Sequence, residues 1–217
     1  MNAEFPKRDQ WRKLPSDSAR ERYFNVLQAA VREYYLADLS NPYQQSGRSS
    51  GAERWEETRR CLVQAIHRSG DFLDVGCANG LLLESLIAWT GELGLTLRPH
   101  GLDFVPELVE LARKRFPDHR DSFAAGNAFY WVPPRRYDFV RTNLEYVPVS
   151  DWTEFIRRQY AAVAANGRLI VCHYRNSGEP YVDPGSVVQQ AGFAVTGRTE
   201  APGVAAGWIH RPGSRDQ

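Results

Sequence analysis

The chain has 217 residues, 42% apolar and 24% charged, which is enough to bury one sizeable core and excludes an intrinsically disordered segment. Lys and Arg number 27 and Asp and Glu 26, leaving a net charge of +1, so no global field draws the protein onto a polyanion and nucleic acid is not the expected partner. Three widely spaced cysteines, Cys61, Cys77 and Cys172, fit neither a disulfide framework nor a paired metal site, and there is no apolar run of ~18 residues for a membrane span; a cytoplasmic protein is expected.

Residues 1–17, with Pro6, Pro15 and unpatterned charge, read as a flexible arm whose Lys7, Arg8, Arg12 and Lys13 form a solvated face. Ser18 and Glu21 then make a capping box, and Tyr23, Leu27, Ala30 and Tyr34 recur at helical spacing up to Asn41-Pro42. After a polar loop over 41–51, Ser50 and Glu53 open a second helix with Trp55, Leu62 and Ile66 on one side. Residues 18–68 are thus expected to form a helical cap or lid.

From Asp71 short apolar runs alternate with helical segments, the pattern of strand-helix units and a mostly parallel sheet. Strands are expected at 72–75, 96–102, 122–125, 137–142 and 168–172, and helices at 81–89, 106–116 and 151–165, the last stopped by Asn166-Gly167. Asp183-Pro184 opens a short helix ended by Gly192, and strands at 193–197 and 207–210 close a hairpin around Ala201-Pro202-Gly203. The main domain therefore spans 69–213, an α/β unit with a seven-stranded sheet, helices on both faces and an antiparallel hairpin at one edge.

The most informative stretch is Asp74-Val75-Gly76-Cys77-Ala78-Asn79-Gly80, where an apolar strand delivers a carboxylate and then a small-residue turn straight into a helix. Glycine there permits unusual backbone angles and close approach of a ligand to the main chain, and the helix start offers unpaired N–H groups. The spacing differs from the Gly-x-Gly-x-x-Gly of dinucleotide sites, so a nicotinamide cofactor is the weaker choice. The next strand ends on Asp103, where a carboxylate suits the two hydroxyls of a ribose.

These residues, with Asn127-Ala128 after the third strand and the Asn166-Gly167 turn before Arg168, resemble the class I S-adenosylmethionine-dependent methyltransferases over roughly residues 60–200. Ala78 departs from the pattern, since many members carry glycine there. The resemblance implies a Rossmann-like fold and S-adenosylmethionine as cofactor, with S-adenosylhomocysteine as product. It places Asp74 and Gly76 at the methionine end, Asp103 at the ribose, Phe104 on the adenine face, and Asn127 and Ala128 at the adenine edge, with Cys77, Ala78 and Gly80 also among the cofactor-binding residues. Asn143 joins the cofactor set.

Methyl transfer from a sulfonium needs alignment and dryness more than a protein nucleophile, and a base only where the acceptor must lose a proton. In open α/β sheets the ligands sit beyond the carboxyl ends of strands, which brings forward Asn143-Leu144-Glu145-Tyr146 and His173-Tyr174-Arg175. Glu145 and His173 are the candidate bases, Tyr146 and Tyr174 candidate acceptor contacts, and Tyr43 and Gln44 candidate lid residues. Five histidines without metal-ligand spacing predict no metal. The expected activity is methylation of an oxygen or nitrogen of a small molecule by a monomer or homodimer. An RNA or protein methyltransferase, or a non-catalytic module on the same fold, are the alternatives.

Overall fold

The computed structural model describes residues 16–47, 51–174 and 181–213. The arm over 1–15, Ser50 of the second capping box and Arg175 lie outside these residues.

Helix α1 spans Asp17–Tyr35. Its N-cap is Ser16, whose hydroxyl accepts from the Ala19 amide, so the cap lies two residues before the expected Ser18. Ser18 is inside the first turn, and Ser16 alone stands where a side-chain oxygen can reach an orphan N–H. Tyr23, Leu27 and Ala30 are buried as their spacing requires, whereas Tyr34 at the far end is exposed. Helix α2, Gly51–Arg59, runs on as a 3-10 helix over Arg60–Ala65, and Trp55, Leu62 and Ile66 are all buried.

The seven strands are β1 Gly70–Val75, β2 Leu97–Asp103, β3 Phe123–Ala125, β4 Tyr137–Asn143, β5 Val163–Tyr174, β6 Gly197–Ala201 and β7 Val204–His210. They lie in the order β3-β2-β1-β4-β5-β7-β6; the first five are parallel, while β7 pairs antiparallel with both β5 and β6. The crossover helices are α3 Leu81–Gly91, α4 Pro106–Arg115 and α5 Trp152–Ala161, and α6 Pro184–Gln190 precedes the hairpin, capped by the Asp183 carboxylate on the Gly185 and Ser186 amides. One apolar layer packs α3 and part of α4 against Phe72, Phe139 and Ile170; the other packs α1, α5 and α6 against Leu73, Val140 and Leu169. Successive residues of each strand serve opposite layers, as the pleat demands.

Two expectations are corrected at the C-terminal half. The helix before β5 stops at Ala161 rather than 165, and Asn166-Gly167 lies within β5 instead of ending the helix. Asn166 takes a left-handed φ of 59° and the β4–β5 register shifts between Tyr137 and Phe139, so the pair marks a bulge. Residues 193–196 form no strand: Phe193 leaves the sheet to pack on Tyr160, ring centres 4.7 Å apart, and pairing begins only at Gly197 opposite Trp208. The turn through Pro202-Gly203 falls where expected, with Gly203 at φ 83°.

Among the described residues, no helix is long and apolar enough to cross a membrane, and no group of three or more His, Cys, Asp or Glu side chains is placed to hold a metal ion.

Candidate active site

A cavity of about 500 Å³ opens at the carboxyl edge of β1, β2 and β4 and is roofed by α1. Its floor is made by the turn after β1. Gly76 and Cys77 donate their amides to the Leu102 carbonyl at 2.7 and 3.1 Å, which ties the turn to β2. Gly76 has φ 80°, and a Cβ there would fall inside the Tyr146 ring, so only glycine fits. Ala78 sits at φ 48°, a conformation that alanine adopts at a cost of about 1 kcal/mol over glycine. Replacing Ala78 with glycine is therefore expected to raise stability by roughly that amount; thermal melting checks it, and a lowered midpoint would contradict the strain.

Asp103 ends β2 and spans the turn. One of its carboxylate oxygens accepts from Val105 N and the other from Ala78 N, both at 2.9 Å. Burial pushes its pKa up to about 6, with the Val105 and Ala78 amides opposing. Asn79, fully buried, works the other way, toward the cap. Its Nδ2 donates to Pro42 O and Gln45 Oε1 at 2.9 and 3.0 Å, and its Oδ1 accepts from Ser46 Oγ at 2.5 Å and Leu81 N at 3.1 Å.

A charged cluster lies beneath. Asp74 of β1 is in register with Arg141 of β4, and the Arg141 guanidinium donates to Asp74 at 2.9 Å, to Tyr174 Oη at 2.8 Å and to Asn143 Oδ1. Burial raises the Asp74 pKa while Arg141 opposes the rise; Arg141 itself is held protonated by Tyr174 and Asp74 against its own burial. The second oxygen of Asp74 has no hydrogen-bond partner, although it is fully buried at the cavity wall. An oxygen left so is a position for a ligand donor.

Of the expected residues, Asp74, Gly76, Cys77, Ala78, Asp103, Phe104, Asn127, Ala128 and Asn143 all line this cavity, as do Glu145, Tyr146 and Tyr174. Gly80 does not: at φ 79° it begins α3 and packs toward Phe116. Cys77 is buried, and its thiol is pushed up by that burial, so it serves as packing. Tyr43 and Gln44 are not in the cavity wall either. Tyr43 packs edge-on against Trp55, and Gln44 ties its amide to the Tyr34 carbonyl; the neighbouring Ser46 and Gly47 line the cavity instead.

His173 is the larger departure. The strand β5 continues to Tyr174, two residues past its expected end, so His173 is an interior strand residue with no exposure and outside the cavity lining. Tyr174 takes the cavity side because successive side chains alternate. His173 still touches the site through Glu145, whose Oε1 lies 2.6 Å from its Nδ1 and accepts the Tyr174 amide at 2.8 Å. Glu145 thus faces the cavity with His173 behind it.

Sequence reasoning missed three contributors. Arg141 was read as part of an apolar strand, although a charge in Phe139-Val140-Arg141-Thr142 signals a buried partner. Tyr35 and Arg59, at the ends of α1 and α2, line the cavity from the cap.

The strand order, the glycine turn and the position of the cavity define a Rossmann-like methyltransferase fold. Residues 72–167 match the family model described as a methyltransferase domain. A search of curated proteins finds no match. Among solved structures, the chain resembles the N-methyltransferase NodS from Bradyrhizobium japonicum WM9 in complex with S-adenosylhomocysteine, at 16% identity and TM-score 0.66, covering 85% of this chain and 98% of that one. It also resembles 1,6-didemethyltoxoflavin-N1-methyltransferase from Burkholderia thailandensis at 16% identity and TM-score 0.61, covering 92% and 93%. The [4+2]-cyclase SpnF matches at 15% identity and TM-score 0.58, covering 86% and 96%. At such identities the likeness is one of fold, and function has to be argued from the site.

Proposed function

We propose that the protein binds S-adenosylmethionine in this cavity and methylates a nitrogen or oxygen of a small molecule. The observation that carries the reading is the convergence of Asp74, Gly76, Asp103 and the turn at Gly126, Asn127 and Ala128 on one enclosed space. The residues fit the cofactor on two grounds in the structure: the unpartnered buried oxygen of Asp74 and the glycine cradle at Gly76. When bound, the cofactor supplies a methyl group already activated on a sulfonium.

The protein's own part is to hold, orient and dry. Asp103 offers carboxylate oxygens to the ribose hydroxyls, and Phe104 with the 126–129 turn provides an apolar slot for the base. Glu145 accepts a proton from the acceptor where one must leave; the Tyr174 amide, which donates to its carboxylate, positions it, and His173 is buried behind it. Residues 18–68 act as a cap, through α1 and the Ser46-Gly47 turn, which excludes water; residues 69–213 form the transferase body. A near-neutral charge and the similarity to small-molecule enzymes support a small acceptor, and free cysteines support work in the cytoplasm, as a monomer or homodimer.

Titration calorimetry with S-adenosylhomocysteine tests the reading. Hydroxyls donate to the ionised form of Asp103, so binding is expected to be flat above pH 7 and to weaken by up to about tenfold per unit below about 6, as Asp103 takes a proton. Asp103→Asn should flatten that dependence. No heat at any pH, or equal affinity from pH 5 to 8, would remove the assignment. In the free protein the sign is opposite: the Asp103 pKa is raised from 3.8, so its contribution to stability is present below that value and lost as pH rises through about 6. Once an acceptor is found, Glu145→Gln should lower turnover and leave homocysteine-product affinity within a few-fold.

A further inference from the structure

The segment between β3 and β4 has two halves with different surroundings. Gly126, Asn127, Ala128 and Phe129 line the cavity, whereas the stretch from Val132 to Arg136 has no regular structure and carries exposed groups. Val132 is 81% exposed, the highest value of any large apolar side chain among the described residues. Tyr130, two residues before it, is 51% exposed, with its ring edge-on to Phe24 of α1. Two prolines then lead into Arg135 and Arg136. Single apolar side chains on a surface need no explanation, but an aromatic and an aliphatic residue held out together beside arginines form a patch.

The charge at this amino edge of the sheet is unbalanced. Asp71, buried at the start of β1, accepts from both Arg98 and Arg135, each more than half exposed, so one carboxylate answers two guanidiniums. His100 lies 3.5 Å from the same carboxylate, and burial lowers its pKa, which leaves it neutral near pH 7. Asp138, the neighbouring carboxylate, is taken by Arg68 at 2.6 Å. Arg136 is exposed and has no carboxylate partner among the described residues. Three arginines thus share a single buried carboxylate, in a chain whose overall charge is only +1.

We propose that this edge is a docking surface for an anionic lipid bilayer, with Tyr130 and Val132 entering the headgroup boundary and Arg98, Arg135 and Arg136 facing the lipid anions. Charge complementarity selects an anionic partner, and the apolar pair selects lipid among anions. A nucleic acid would use the guanidiniums and the Tyr130 ring but has no place for an aliphatic side chain beside prolines. A bilayer takes both, since its interface suits tyrosine and arginine and its hydrocarbon suits valine. The segment that meets the lipid is continuous with the one that lines the cavity, so docking brings the cavity close to the bilayer.

Sedimentation of the full chain with phosphatidylcholine vesicles, with and without phosphatidylserine, tests the surface. The wild type is expected to partition at least about tenfold more onto the serine-lipid vesicles and to come off as salt is raised. Arg136→Ser should lower that partition about fivefold and Val132→Ser about five- to tenfold, while Arg136→Lys binds as the wild type. Both serine variants should keep the thermal midpoint, because both side chains are exposed. Wild type that binds neither vesicle, or both equally, would overturn the proposal, as would either serine variant sedimenting like the wild type. A polyuridine oligonucleotide gives the competing arm. RNA binding that falls with Arg136→Ser and ignores Val132→Ser, with vesicles left unbound, would reassign the edge to nucleic acid. Affinity for S-adenosylhomocysteine does not enter, so the outcome is independent of the donor site.

Discussion

Valine at position 76 is expected to abolish binding of S-adenosylhomocysteine, raising Kd by more than about a hundredfold, and to lower stability by about 3 kcal/mol. Two separate effects add. The backbone φ of 80° is one that a β-branched residue resists, and its Cβ would enter the Tyr146 ring. That ring cannot simply swing away, because its hydroxyl donates to the Gly76 carbonyl at 3.2 Å and accepts from Asn143 Nδ2 at 2.8 Å. Displacing Tyr146 therefore loosens Asn143 and with it the Arg141 cluster. Calorimetry and thermal unfolding measure the two losses separately. A valine variant that binds within a few-fold of the wild type would move the donor site away from this turn.

The second large effect is expected at Arg141. Leucine there leaves the Asp74 carboxylate buried without its partner and removes the donor to Asn143 and Tyr174, for a loss of about 3–5 kcal/mol. The pair itself need not be strongly stabilising, since both ions gave up water to enter the wall. Removing both charges, Arg141→Leu with Asp74→Asn, should accordingly recover a large part of the loss. Chemical denaturation of the two variants provides the comparison. A single variant that loses less than about 1 kcal/mol would mean that water already shares this pair.

Much of the frame was legible because it is dictated locally. Asp74, Gly76 and Asp103 announce themselves by type and place: a carboxylate ending each of two apolar strands, and a glycine where the chain must turn tightly. Pairing across strands is invisible in this way. Arg141 faces Asp74 only because β4 runs beside β1, and their separation of 67 positions in the sequence gives no sign of that register. The burial of His173 depended on two further residues of β5, an element end that composition does not fix. On α1 the apolar stripe was read correctly as a buried face, but part of what it faces is the cavity rather than packed core, a distinction that periodicity does not carry. Which residues of the loop after α1 reach the cavity wall is equally hidden: Ser46 and Gly47 line it, and Tyr43 and Gln44 do not.

Asn79 gives the molecule one more property. Because a single amide grips Pro42, Gln45 and Ser46 on one side and the first turn of α3 on the other, the segment from 42 to 46 and the glycine turn behave as one mechanical unit. Attempts to redesign acceptor preference by swapping that segment would then carry an epistatic penalty in donor affinity, and specificity in this scaffold is more freely retuned from α1, whose side chains reach the same chamber without passing through Asn79.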